Sequence, residues 1–284
     1  MILVDLSQVL ISSIMVYLNS EPNASLNENL IRHISLNCLR SYNRQFHTKF
    51  GNIVICCDSR HYWRRDAFPY YKANRKLDRD NSKYDWTLIF DVINKIRNEL
   101  KEYYPHKVIE VDGTEADDII AVLSARFSPT EPVLILSSDK DFIQLQKHKN
   151  VQQFSPKLKR FIRADDPAQF IREHIIRGDR RDGIPNFLSP DDVFVTNERQ
   201  RRITKVAMAE WLVGNPAEFC DTDAKRRGYN RNEILVNFDF IPCDLVAKIN
   251  ETYDTVIASP RASMVSYMIK TGIVTALVEQ ADEF

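Results

Sequence analysis

The chain predicts an α/β fold, a central and mostly parallel sheet flanked by helices, with a largely helical part after it. Three observations lead there. Four short runs rich in β-branched and apolar residues, Ile2–Val4, Asn52–Cys57, Lys107–Val111 and Val133–Leu136, read as strands buried on both faces. Between them lie stretches of helical periodicity, and strand alternating with helix is the pattern of a parallel sheet. Three of the runs lead directly into an aspartate, Asp5, Asp58 and Asp112, at the carboxyl edge where open α/β sheets gather ligands.

Along the chain, Leu30, Ile31, Ile34, Cys38, Leu39, Tyr42 and Phe46 form one apolar stripe, and Leu88, Ile89, Val92, Ile93, Ile96 and Leu100 another. Between the second strand and that second helix lies Ser59 to Lys83, long, polar and aromatic, and interrupted by Pro69. An insertion of that length is a candidate for function. Beyond about residue 165 the strand signal fades into charged helical text punctuated by Pro185, Pro190 and Pro216. The expected division is a core over 1–165, with an insertion at 59–86, and a helical domain over 166–284.

The totals exclude several classes. A chain of 284 residues has ample length for a buried core. Its 39 basic and 39 acidic residues leave no global field, so the distribution of charge matters more than the sum. Five cysteines, without a C-x-x-C pair, read as reduced core residues of an intracellular protein. An acid already at position 5 argues against a secretory signal, and no apolar run approaches a membrane span of roughly 18 residues. The seven glycines form no G-x-G-x-x-G or G-K-[ST] cluster, which sets aside a nucleotide-cradling loop.

Acidic residues carry the chemistry. Gly113-Thr114-Glu115-Ala116-Asp117-Asp118 and Ser137-Ser138-Asp139-Lys140-Asp141 place five carboxylates in two short blocks. Asp5, Asp58 and Asp139 each follow a strand, and Glu115 and Asp117 begin the helix after the third, so four chain segments are expected to converge on one edge of the sheet. Taken singly, an aspartate after a strand is often the N-cap of the next helix. Capping alone does not account for the whole set. Crowded carboxylates share protons or gather divalent metal, and two oxygen-ligated metals suit in-line displacement at phosphorus. Phosphodiester hydrolysis is the chemistry implied. An aspartyl-phosphate phosphatase would want D-x-D-x-[TV] after the first strand, where this chain has Asp5-Leu6-Ser7-Gln8.

The insertion is basic. From Ser59 to Lys83, Arg60, Arg64, Arg65, Lys72, Arg75, Lys76, Arg79 and Lys83 face three acids, and Tyr62, Trp63, Phe68, Tyr70 and Tyr71 interleave with them. Cations that neutralise phosphate beside rings that stack on bases suit single-stranded nucleic acid. The plainer alternative is a solvated helix whose Lys and Arg snorkel over its own aromatic face. A second basic zone runs from Lys157 to Arg181 and continues at Arg199, Arg201, Arg202, Lys225, Arg226 and Arg227.

Four ordered motifs resemble the flap endonuclease family of structure-specific 5′ nucleases. Trp63-Arg64-Arg65-Asp66-Ala67-Phe68-Pro69-Tyr70-Tyr71-Lys72-Ala73-Asn74-Arg75 is similar to that family's F-R-x-x-x-Y-P-x-Y-K-A-N-R. Glu115-Ala116-Asp117-Asp118 matches E-A-D-D, Asp139-Lys140-Asp141-Phe142 with Gln144-Leu145 matches D-K-D-x-x-Q-L, and Gly178 to Pro185 echoes G-D-x-x-D-N-[IV]-P. The likeness is greatest to a phage branch of 5′ to 3′ exonucleases that remove RNA primers.

The resemblance implies a PIN-like 5′ nuclease core, a helical arch over 59–86 and a C-terminal duplex-binding part containing a helix-two-turn-helix element. It implies two Mg2+ ions, with Mn2+ as a substitute. Asp5, Asp58, Glu115, Asp117 and Asp139, with Asp118 beside them, would hold the first ion, and Asp141, Asp179 and Asp182 would surround the second. Asp117 and Asp139 then count as catalytic with Lys72 and Arg64, which would reach the scissile phosphate from the base of the arch. Tyr71 would stack on a terminal base. Arg65, Arg75, Arg180, Arg181, Arg201, Arg202 and Lys205 would complete the nucleic-acid contacts. The implied substrates are RNA·DNA hybrids and forked, nicked or flapped duplex DNA in lagging-strand replication. A monomer in the host cytoplasm is expected, with no membrane and with a single-strand-binding protein and a sliding clamp as candidate partners.

Gly183 stands where the family has Asn, and Asn186-Phe187-Leu188-Ser189 replaces its G-V-x-G, which leaves a monovalent ion open. Two other readings of the residues remain: a PIN-type single-strand ribonuclease, and a catalytically silent fork-binding protein.

Overall fold

The computed structural model describes residues 1–21, 26–75, 82, 84–196, 198–272 and 275–284. Strands β1 (Ile2–Asp5), β2 (Ile53–Cys56), β3 (Lys107–Ile109), β4 (Val133–Leu136), β5 (Val151–Ser155) and β6 (Arg160–Ile162) form one sheet in the order β3-β2-β1-β4-β5-β6. The first five run parallel and β6 returns antiparallel on β5. All four predicted strands are present. The β5–β6 pair, which the sequence pattern did not announce, closes one edge.

β1 sits at the middle of this order, with β2 on one side and β4 on the other. The strand order reverses there, and such a switch point opens a crevice at the carboxyl ends of the strands. Asp5 ends β1 and Asp139 follows β4, so topology alone puts these two acids on either side of it.

Two compact units make up the chain: Met1–Arg60, Tyr84–Arg163 and Asp244–Phe284 form the first, and His61–Lys83 with Ala164–Cys243 form the second. This division differs from the expected boundary at 165/166. The first unit holds the sheet, α1 (Leu6–Ser20), α2 (Glu28–Phe50), α4 (Trp86–Tyr103) and α5 (Ala116–Phe127). The C-terminal residues join it because Met264, Met268, Leu277 and Phe284 are buried in the same core as Ile2, Val4, Ile55, Leu134 and the apolar faces of α1, α2 and α4. Tyr267 stacks on Tyr103 with centroids 4.1 Å apart.

The second unit contains α3 (Trp63–Ala67), α6 (Pro167–Arg177), α7 (Lys205–Val213), α8 (Pro216–Phe219) and α9 (Asp223–Val236). Phe68 and Tyr71 pack with Ile184, Leu235 and Val236. The first half of the predicted insertion is therefore part of a folded unit with its own apolar anchor. Its second half, 76–81 and 83, with Lys76, Arg79 and Lys83, lies outside the described residues.

Gly183 has φ +71, and a Cβ there would lie 2.7 Å from the Tyr70 carbonyl oxygen. Glycine is required at this turn on both counts. Gly183→Asn, which would restore the family's residue, is expected to cost about 2 kcal/mol or more, read as a fall in the thermal midpoint of the free protein.

Candidate active site

The site in the first unit is built from loops that leave the carboxyl ends of β1, β2, β3 and β4. Asp5 caps α1, accepting from the Gln8 N–H at 3.1 Å with Oδ1, while Oδ2 accepts from the Ser137 hydroxyl at 3.0 Å. Gln8 in turn accepts from the Ser138 N–H at 3.0 Å through Oε1. The loop after β4 is thereby fastened to the start of α1.

The loop after β3 is fastened to the loop after β2. Ala116 N–H donates to Asp58 Oδ1 at 3.0 Å, and Ser59 N–H donates to the Thr114 carbonyl at 3.0 Å. Asp58 orients the first turn of α5 in this way, at an N-terminus where a negative charge is favoured. Asp117 stands half-buried in that turn. Asp118 is fully buried and turns back to accept from the Glu115 N–H at 3.0 Å. Of the acids expected to hold metal, Asp118 is thus engaged in closing the cap that fixes Glu115.

Asp139 is held from below by Gln153. That side chain is wholly buried in β5 and donates through Nε2 to the carbonyls of Ser137, at 3.0 Å, and Asp139. Asp139 Oδ1 accepts from the Asp141 N–H at 3.1 Å and so starts the 3-10 turn Asp141–Lys147. Gln153 and Ser137 belong to the bonding network around these acids, and sequence reasoning did not single them out. The one available signal was a glutamine pair, Gln152-Gln153, between the buried Val151 and Phe154.

Electrostatics show how closely these acids are crowded. Burial, with Asp58 and then Asp139 close by, pushes the Asp5 carboxyl up to about 7, against the lowering effect of its bonds from Gln8 and Ser137. The buried Cys56 thiol is driven up by burial and by the negative field of Cys57, Asp5, Asp117 and Asp58. Asp5, Asp58, Asp117 and Asp139 therefore crowd one small region with negative charge. A hard divalent cation fits an all-oxygen donor set of this kind.

A pH dependence follows. Unfolded, Asp5 loses its proton near 3.8; folded and metal-free, it keeps that proton to about pH 7. The folded state binds more protons in between, so its stability is full below about pH 4 and falls as pH rises through 7. In chelator, the thermal midpoint is expected to drop between pH 5 and 8 by several degrees more in the native chain than in Asp5→Asn.

The second unit holds the remaining expected acids and most of the cations. Asp179 Oδ1 accepts from the N–H groups of Arg181, at 2.6 Å, and Asp182, at 3.3 Å, and Asp179 faces His174 Nε2 at 3.7 Å. Asp182 accepts from the Tyr71 hydroxyl at 3.0 Å and from Arg75, and Lys72 Nζ lies 3.6 Å away. Burial alone would raise its carboxyl, but Lys72 and Arg75 outweigh that and hold it down to about 2.

Two of the expected nucleic-acid contacts are placed inside the second unit. Arg64 is 2% exposed, donates to the Leu235 carbonyl at 2.9 Å and lies over Trp63. It is an interior residue of the second unit, because the five-residue α3 turns that side onto the end of α9. Tyr71 is 4% exposed, with its ring against Phe68 and Leu235 and its hydroxyl on Asp182, so its face is not offered to a base. Arg65, Arg180, Arg181, Arg201, Arg202 and Lys205 are exposed. Between α6 and α7 the described residues 178–196 and 198–204 contain several turns and an isolated bridge between Asp179 and Ile184.

A family profile described as the 5′-3′ exonuclease N-terminal, resolvase-like domain matches residues 2–174, and one described as T4 RNase H, C terminal, matches residues 167–284. The chain is 33% identical to the ribonuclease H of Enterobacteria phage T4, across 99% of this chain and 95% of that protein. It is 32% identical to a 5′-3′ exonuclease of Buchnera aphidicola over 47% of this chain and 46% of that one. Among solved structures, the flap endonuclease of bacteriophage T5 in complex with DNA and metal ions aligns with TM-score 0.63 at 16% identity, covering 89% of this chain and 97% of that chain. The T5 5′-exonuclease with bound zinc aligns with TM-score 0.62 at 16% identity, covering 90% and 98%. At that identity the two structures speak for the fold.

Proposed function

The chain belongs to the 5′-3′ exonuclease family, and on that premise we propose that it is a Mg2+-dependent 5′ nuclease that removes RNA primers and adjacent DNA from hybrid, nicked and flapped duplexes in lagging-strand replication. The observation that carries this reading is the convergence of Asp5, Asp58, Glu115, Asp117 and Asp139 from four loops on the switch point of the sheet. These five residues would hold the first divalent ion, with Asp141 next to them at the start of the 3-10 turn and Asp118 in support. When bound, such ions supply an activated water and offset the charge that develops at phosphorus.

The protein's own share is positioning. Ser137 and Gln8 fix both Asp5 oxygens, Ala116 fixes Asp58, and Gln153 fixes the loop that carries Asp139. Groups so held need little rearrangement when substrate arrives. Lys72 would bring positive charge to the phosphate undergoing attack, and Arg65, Arg180, Arg181, Arg201, Arg202 and Lys205 would neutralise duplex phosphates.

The test is product analysis on a 5′-labelled flap and a nicked RNA·DNA hybrid, with Mg2+ and with chelator. Release of short 5′ fragments only with Mg2+ is expected. Tight fork binding without cleavage would make the protein a silent fork reader, and preferential cleavage of single-stranded RNA would make it a PIN-type ribonuclease.

A further inference from the structure

We propose that Asp182 is a positioning residue that holds Lys72 and Arg75 in a latched state, released when phosphate takes the place of its carboxylate. The proposal rests on the nuclease reading above; beside the place around a second ion that the family resemblance implies, it assigns Asp182 a role, before metal and substrate bind, toward the cations of its own unit. Three groups converge on this carboxylate. Arg75 donates to Oδ1, the Tyr71 hydroxyl donates to Oδ2 at 3.0 Å, and Lys72 Nζ lies 3.6 Å from Oδ2.

Latching hides the charge. The Lys72 side chain is 10% exposed and that of Asp182 13%, so a phosphate reaches the ammonium only if the pair opens. Arg75, at 39%, is the more accessible of the two cations. Carboxylate and phosphate offer the same kind of acceptor to Lys and Arg, and a phosphate can therefore substitute for Asp182 without any change in donor chemistry.

The backbone around the latch is fixed, which confines the movement to side chains. Lys72 N–H donates to the Asp182 carbonyl at 2.7 Å, Asn74 Nδ2 to the Arg180 carbonyl at 2.7 Å, and Arg75 Nε to the Arg181 carbonyl at 3.2 Å. On the other strand of this clamp, Asp179 orders the turn and Gly183 permits the close approach of Tyr70. Lys72 itself has φ 58, a left-handed conformation that a lysine adopts at a cost. The turn is built to place these cations, and Asp182 decides where their heads point.

A charge argument sets the expected result. When Lys72 and Arg75 move to phosphate, the vacated carboxylate must take up a cation from solution, which offsets part of the counterion release from the nucleic acid. Removing the carboxylate removes that offset.

The experiment measures binding of a 5′-flap duplex in chelator across a salt series. Asp182→Asn keeps the shape and still accepts from Tyr71. It is expected to bind about tenfold tighter at low salt, with the slope of log K against log salt steeper by up to about one. A folded Asp182→Asn variant that binds no better, with the native slope, overturns the latch.

Arg75→Gln provides a check that does not depend on that variant folding. A latch requires that Arg75→Gln lower both the thermal midpoint of the free protein and the salt slope. Lower stability with an unchanged slope would leave a structural ion pair; a lower slope with unchanged stability would leave a phosphate contact alone. Native protein that neither binds nor cleaves the flap would sink the nuclease reading itself, whereas native cleavage without tightening in Asp182→Asn would sink only the latch.

Discussion

Asp117→Asn is expected to reduce flap cleavage by on the order of 10³-fold or more, while binding of the same flap in chelator stays within about twofold of native. Asp117 lies in the first turn of α5, half-buried, and its charge is felt at Cys56 along with those of Asp5 and Asp58. Asparagine keeps the size and removes the charge. The crowding that calls for a cation is thereby relieved, and the site loses one of the anionic oxygens that attract the ion. Two consequences are measurable together: less heat on titration with Mg2+ or Mn2+, and a higher thermal midpoint in chelator, because one repulsive charge has gone. Native turnover in this variant would remove Asp117 from the metal set and with it the proposed chemistry.

Lys72→Ala is expected to lower kcat by about 10²- to 10³-fold, the range for deleting one preorganised electrostatic group. It is also expected to destabilise the free protein. Asp182 is half-buried with Lys72 and Arg75 around it, and its carboxyl is held down to about 2 by them. A depressed pKa gives stability that is present above the unfolded value near 3.8 and is lost as pH falls toward 2. Without Lys72 the folded pKa rises, that contribution shrinks, and acid unfolding is expected to begin at a higher pH. Alanine carries the same Cβ as lysine, so the strain at φ 58 is common to both and cancels in the comparison. Kinetics on the flap substrate and an acid titration followed by circular dichroism read the two effects separately. A Lys72→Ala protein with native kcat would confine the residue to its ion pair.

The fold was legible where local pattern dictates structure. β1, β2 and β4 are buried throughout and spell nearly continuous apolar runs, and α2 and α4 carry their apolar stripes openly. β5 and β6 were not legible. Gln152 and Gln153 interrupt the first, and Arg160 with an exposed Phe161 makes the second read as surface. What makes them strands is pairing with β4 and with each other, a matter of neighbours in space.

The same line divides the candidate site. Asp5, Asp58 and Asp139 follow strands, and the E-A-D-D and D-K-D blocks open helical turns, so their common edge was readable from alternation of strand and helix alone. Only the tertiary structure showed Gln153 beneath the Asp139 loop and Arg64 turned inward to the Leu235 carbonyl. It alone also joined Lys72 and Arg75 to Asp182, and the C-terminal Met264, Met268 and Phe284 to the core of the sheet. The physical reason is range. Periodicity and capping are set by residues within a turn or two of one another, whereas these partners lie far apart in the chain and meet only after the sheet and helices have packed.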